Sequence, residues 1–156
     1  MGILGIVARY RFLSTWLLDA PMERVWQVLH DAERWPLWWR GVEATEILTG
    51  DLWRSTWRSV LPYSLTFDFE ILRREEPYFL EGRASGELAG LGRWRLFEAR
   101  GQTASTWDWD VKTSARWMNA LGPLAKPAFT WNHDRVMRSG AAGLAQELGV
   151  ALLATS

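Results

Sequence analysis

Between residues 42 and 113 the apolar side chains of this chain recur at every second position, and after that they recur at every third or fourth. A period of two sorts side chains onto the two faces of a strand, whereas a period near 3.6 draws one stripe along a helix. The segments "VEATEIL", "LWRSTWRSV", "SLTFDFEILRRE", "YFLEGRASGEL", "GRWRLFEAR" and "TASTWDWDVKT" follow one another with links as short as "TGD", "AGLG" and "RGQ". Trp53, Ser55, Trp57 and Ser59 share one face of the second segment, and Leu65, Phe67, Phe69 and Ile71 share one face of the third. Apolar-in, polar-out alternation joined by tight turns predicts an antiparallel meander with one wet face. An earlier segment, "YRFLSTWLL", alternates in the same way and supplies a further strand.

Helical spacing brackets this stretch. In "DAPMERVWQVLHDAERW", Met22, Val25, Trp26 and Leu29 fall at i, i+3, i+4 and i+7. Asp19 or Ala20 is expected at the cap and Pro21 in the first turn. His30 closes this helix, where the dipole favours a cation. "PLWWRG" predicts a short second helical turn ended by Gly41, and "ARWMNALG" another turn or two. "PLAKPAFTWNHDRVMRSGAAGLAQELG" is the long C-terminal helix. Residues 128–148 alone would run ~30 Å, against a radius of gyration of only ~15 Å for a compact chain of this size. The helix must therefore cross the domain, and the sheet must curl around it.

On this helix Phe129, His133, Met137, Gly140, Leu144 and Leu148 form one stripe flanked by Val136, while Trp131 falls on the polar side. Gly140 and Gly143 each cost a helix about 1 kcal/mol relative to alanine. Close approach of a neighbouring element would compensate, and so would room for a bound molecule. The 12 tryptophans raise the same alternative. Each aromatic ring buries roughly 150–250 Å², so they make either a heavy core or the walls of a ligand pocket.

The 18 basic and 18 acidic side chains cancel, which argues against a grip on nucleic acid. No cysteine is present, so disulfides, thiolate metal sites and thiol nucleophiles are excluded. No apolar run approaches the ~20 residues of a membrane span, and the start lacks signal-peptide features. The expectation is one cytoplasmic domain over residues 1–156, with a core at about 9–148.

The order strand, helix, short helix, meander and long helix brings a family into view. "DAPMERVWQVLHDAERWPLWWRGV" resembles the first-helix signature of the START-like (SRPBCC) superfamily, whose helix-grip fold is shared with pollen-allergen-like proteins. "WNHDRVMRSGAAGL" is similar to the last-helix signature of its polyketide cyclase/dehydrase-like branch. The resemblance implies an α+β fold. A curved antiparallel sheet of about seven strands would wrap around the C-terminal helix, with two short helices after the first strand and a deep apolar cavity between. Members carry lipids, sterols, hormones, flavonoids or polyketides, and a minority catalyse reactions on them. The superfamily has no single catalytic motif to carry over, so function is argued from the pocket.

The expected ligand-binding face gathers Trp16, Trp53, Trp57, Phe67, Phe69, Trp94, Trp107 and Trp109, with Ser14, Ser55 and Ser59 as small polar groups. The helix adds His133, Met137 and Gly140. Gly82, Ala84 and Gly86 leave their strand nearly bare on that face, which suggests open space. Three readings follow. The first is a binder or transporter of a hydrophobic small molecule, such as a lipid, polyketide or aromatic ligand. The second is a polyketide cyclase/dehydrase-type enzyme with His133 as general acid/base. The third is a partner-binding module that docks through Trp38, Trp39 and Trp131; a homodimer is compatible with any of them. No cofactor is implied. With two histidines far apart and no cysteine, no metal site is expected. Asp108 and Asp110 alternate onto the wet face, where Arg93 and Arg95 are their expected partners.

Overall fold

The alternating segments pair in the order in which they occur. The computed structural model describes residues 8–58, 64–113 and 122–156. In it β2 (Val42–Thr49), β3 (Leu52–Arg58), β4 (Ser64–Glu75), β5 (Phe79–Gly86), β6 (Leu88–Ala99) and β7 (Gln102–Thr113) form a continuous antiparallel meander. β1 (Ala8–Leu18) runs antiparallel to β7, with Phe12 opposite Trp109 and Ser14 opposite Trp107. As the alternation predicts, Tyr10, Phe12, Ser14, Trp16 and Leu18 are all buried. An eighth strand, β8 (Leu152–Thr155), extends the expected seven by pairing with the free side of β1. Its side chains are mostly exposed, with Leu152 alone packed partly against the core, so backbone hydrogen bonds chiefly hold it and no alternation announces it.

The helices lie against the buried face of this sheet. α1 (Met22–His30) is followed by a 3₁₀ turn (Ala32–Arg34) and by α2 (Trp35–Trp38), as predicted for two short helices. Pro21, and neither Asp19 nor Ala20, occupies the N-cap position of α1 and makes no side-chain cap. The Met22 N–H instead donates to the Glu98 carboxylate of β6 at 2.8 Å, so the cap comes from a strand remote in sequence. α3 (Ala125–Leu148) has 24 residues and at 1.5 Å per residue spans ~36 Å. It stops at Gly149, whose φ of 69° is left-handed and whose N–H closes onto the Ala145 and Gln146 carbonyls. No helix among the described residues is long and apolar enough to cross a membrane. The helical turn expected in "ARWMNALG" and the side chain of Ser59 fall outside the described residues.

One tryptophan seats α3. Trp39 is 1% exposed; its indole N–H donates to the Val136 carbonyl at 2.9 Å. Its ring lies where a side chain on Gly140 would go: a Cβ there would stand 2.4 Å from the Trp39 ring and 2.8 Å from Trp16. At Gly143 a Cβ would stand 1.8 Å from the Trp38 carbonyl oxygen. Of the two explanations for these helix glycines, close packing is therefore the one realised. Trp38 is buried with Trp39, so the docking surface expected of them does not form; Trp131 is half exposed beneath the Arg135 guanidinium, 5.1 Å away.

On the wet face Asp108 keeps its expected partner Arg93, whereas Asp110 takes one from the strand on its other side. Asp110 takes a bidentate pair from Arg9 of β1 at 3.0 and 2.8 Å, because β1 lies against β7. Arg93 hydrogen-bonds Glu81 and stands 3.8 Å from Asp108.

Gly140→Ala and Gly143→Ala are expected to lower stability in urea unfolding by about 1–3 kcal/mol, despite the gain of about 1 kcal/mol in helix propensity. Ala142→Gly, exposed on the same helix, is expected to cost only about 1 kcal/mol. Equal or smaller losses for the two glycine substitutions would contradict the packing described.

Candidate functional site

Between the sheet and α3 the expected hollow is mostly occupied. Trp35 lies within 6.4 Å, ring centre to ring centre, of Trp39, Trp53, Trp57, Trp94 and Trp107. Trp16 adds contacts to Trp39 at 5.3 Å and Trp107 at 4.9 Å. The bare strand positions are covered as well. A Cβ on Gly82 would stand 2.1 Å from the Phe69 ring, and one on Gly92 would stand 2.8 Å from the Trp109 ring. Glycine there makes room for aromatic neighbours, not for a guest, which corrects the space expected at Gly82; Ala84 is itself buried, and Gly86 lies exposed at the strand end.

What stays open are two small voids. The outer one, about 70 Å³, is lined from β1, β3, β4, β6, β7 and α3 by residues that include Phe12, Trp57, Leu65, Phe67, Leu88, Trp109, Phe129, His133 and Met137. The inner one, about 30 Å³, lies among Trp35, Trp53, Trp57, Phe69, Trp94, Trp107 and Trp109, with the Thr45 and Ser55 hydroxyls. Trp57, Phe67 and Trp109 line both and so form the partition between them. Ser55 ties this wall together: it receives the Trp57 indole N–H at 2.7 Å and shares a 2.9 Å bond with Thr45.

Of the side chains expected at the site, Trp57, Phe67, Trp109, His133 and Met137 meet at the outer void, and Trp53, Phe69, Trp94 and Trp107 at the inner one. Trp16 and Gly140 are packed into each other and into Trp39, and line neither. The helix position Phe129 and the strand position Val111 also line the outer void; alternation and the α3 stripe carried both signals. Among the described residues no three His, Cys, Asp or Glu side chains converge as metal ligands would.

His133 is one of three polar side chains in the outer wall, with Arg58 and Asn132. Its ring stacks on Phe12 with centres 3.8 Å apart and planes 12° from parallel. Neither ring nitrogen finds a hydrogen-bond partner; Asp134 comes only to 3.6 Å of Nδ1, beyond hydrogen-bond length. Burial pushes the imidazole down to about 4, and the nearby Asp134 carboxylate opposes this only in part. His133 is thus neutral at pH 7. His30 departs from its expected role as a helix-end cation. Burial first, and Arg74 second, lower its pKa, while its ring stacks on Trp26 at 5.4 Å.

A long helix held in an antiparallel sheet, with two short helices closing an aromatic-lined gap, defines a START-like protein of the helix-grip class. Residues 11–149 match the model of the family described as polyketide cyclase/dehydrase and lipid transport, and the chain belongs to that family. Solved structures of similar fold include the ZhuI aromatase/cyclase from Streptomyces sp. R1128, with 17% identity, a TM-score of 0.73 and coverage of 91% of this chain and 94% of that one. A START superfamily protein from Mycobacterium smegmatis aligns at 15% identity and TM-score 0.72, covering 89% and 97%. A conserved protein from Geobacillus kaustophilus aligns at 12% identity and TM-score 0.73, covering 90% and 95%. No curated protein matches the sequence significantly.

The pKa of His133 fixes the sign of a pH effect. Between about pH 6.5 and 4 the unfolded chain binds a proton at this histidine that the folded chain refuses, so stability falls as pH falls through that window. The full contribution, intact above pH 6.5, is about 3 kcal/mol. His133→Phe, which keeps a ring on Phe12 and removes two unpartnered nitrogens, is expected to flatten this slope. It is also expected to raise stability at pH 7 by about 1 kcal/mol. Urea unfolding at pH 7, 6, 5 and 4.5 checks both; an unchanged slope would show that the histidine is not buried neutral.

Proposed function

We propose that this protein binds a hydrophobic small molecule at the outer end of the gap between sheet and helix, and serves as its carrier. The observation that carries the reading is the outer void itself. Apolar side chains from six elements surround it, joined by Arg58, Asn132 and an imidazole that is held neutral. Family membership supports the same reading, since the family is described by polyketide cyclase/dehydrase and lipid transport functions. The ligand class that suits the wall is flat and apolar, with one polar group for His133.

Size sets a condition. An apolar cavity of about 150 Å³ holds a benzene-sized guest, and the outer void is about 70 Å³. Binding therefore requires side chains to move. Met137 is unbranched and adaptable, and Trp57 is half-buried rather than enclosed, so these two yield first.

Catalysis of the cyclase/dehydrase kind is the second reading, favoured by a histidine with two unpartnered nitrogens at the void. Against it, general acid/base work is best served by a pKa near the working pH, and that of His133 lies near 4. Carriage is placed first for this reason.

Titration with an uncharged naphthylamine dye is expected to quench tryptophan fluorescence saturably at one equivalent, and Met137→Trp, which fills the void, to weaken binding at least tenfold. Absence of saturable quenching, or equal binding by Met137→Trp, would refute the carrier reading. His133→Ala is expected to change dye affinity by less than about threefold. Loss of turnover of a polyketide-like substrate in that variant, with binding kept, would move the assignment to the enzyme.

A further inference from the structure

The largest open space among those described here lies elsewhere. A cleft of about 400 Å³ is bounded by the end of α1, the turn between β2 and β3, and the end of β4. Trp26, His30, Ile47, Trp53 and Arg74 line it, and so do the carboxylates of Asp31 and Glu76. Its volume falls within the 300–1,000 Å³ common for small-molecule sites.

Arg74 is in this cleft because the strand is irregular. Simple alternation from Leu65, Phe67, Phe69 and Ile71 would put residue 73 on the buried face and residue 74 on the wet one. The register between β4 and β5 shifts between Ile71 and Arg73, so Arg73 faces Glu81 and Arg74 faces Leu80. Leu80 is 1% exposed and belongs to the concave face. The bulge thus turns an arginine inward, and bulges that re-aim a side chain are frequent beside functional sites.

Once there, Arg74 is poorly paired. Arg9 and Arg54 on the wet face hold carboxylates in bidentate pairs with a contact of 2.8 Å. Arg74 reaches only Asp51, at 3.4 Å, longer than the ~2.7–2.9 Å of a charge-assisted bond. Its Nε has no acceptor, and neither does Nε2 of the neighbouring His30. A planar fork of donors beside indole rings is suited to a carboxylate on a flat apolar body. Asp31 and Glu76 oppose a multiply charged anion more strongly than a singly charged one.

We propose that the cleft between α1, the β2–β3 turn and the β4 bulge is a second binding site, separate from the sheet–helix voids, for a small aromatic monocarboxylate held by Arg74 and His30 against Trp53. Benzoate tests this, followed by the indole N–H resonances of Trp26 and Trp53 in two-dimensional NMR, with benzylamine and inorganic phosphate as comparisons. Benzoate is expected to shift these signals saturably, Arg74→Gln to weaken it at least tenfold, and Met137→Trp to leave it within twofold. Benzylamine or phosphate is expected to bind at least fivefold more weakly than benzoate. No saturable benzoate shift, equal binding by Arg74→Gln, or tighter binding of benzylamine or phosphate would each overturn the proposal. Should Arg74→Gln fail to fold, His30→Phe, which keeps the stack on Trp26, is expected to weaken benzoate at least threefold, and an unchanged affinity would overturn the proposal equally.

Discussion

The contact of Trp39 with α3 sets the distance between sheet and helix, and the rest of the interior follows from that distance. Its N–H is spent on the Val136 carbonyl and its ring occupies the place of a missing side chain at Gly140. A helix with alanine at that position would stand further from α2, and the gap would widen along much of its length. The chain gives up about 1 kcal/mol of helix propensity at each of two glycines and recovers more through burial. A tryptophan that buries roughly 150–250 Å² is stabilised by up to about 4–6 kcal/mol relative to exposure.

That same arithmetic decides where a guest can enter. Opening the gap near Trp16, Trp94 or Trp107 means dislodging rings that are almost wholly enclosed, against several kcal/mol each. At the outer end the wall contains Met137, the half-buried Trp57 and the neutral imidazole of His133. A ligand there has to displace little, and replaces apolar contacts with apolar contacts. The Trp57–Phe67–Trp109 partition then separates a yielding compartment from a rigid one.

Much of this was legible in the sequence, and what was not has identifiable causes. Period-two alternation located the concave residues of β1, β3, β4 and β7, and the 3.6 stripe located Phe129, Met137, Leu144 and Leu148, because burial writes itself into composition. The turn chemistry of "TGD" and "RGQ" fixed the hairpins. Features carried by backbone or by distant partners left no such trace. β8 pairs through its main chain with mostly exposed side chains. The cap of α1 comes from Glu98, 76 positions away. Sequence could name Gly140 and Gly82 as places without a side chain, but not say that Trp39 and Phe69 already filled them. An enumeration of small residues gives possible space; only packing gives actual space.

Arg74 illustrates the same limit with a different consequence. A one-residue bulge inverts the facing of everything beyond it, so a charged residue that reads as solvent-facing is placed on the buried side next to Leu80. Such a placement has a desolvation cost that a loose pair with Asp51 at 3.4 Å offsets poorly, and an unbulged β4 would avoid it. Trp53 connects this cleft to the interior, since it lines both the cleft and the inner void. The aromatic filling therefore ends in two unlike rings: the half-buried Trp57 borders the outer void and the enclosed Trp53 the polar cleft.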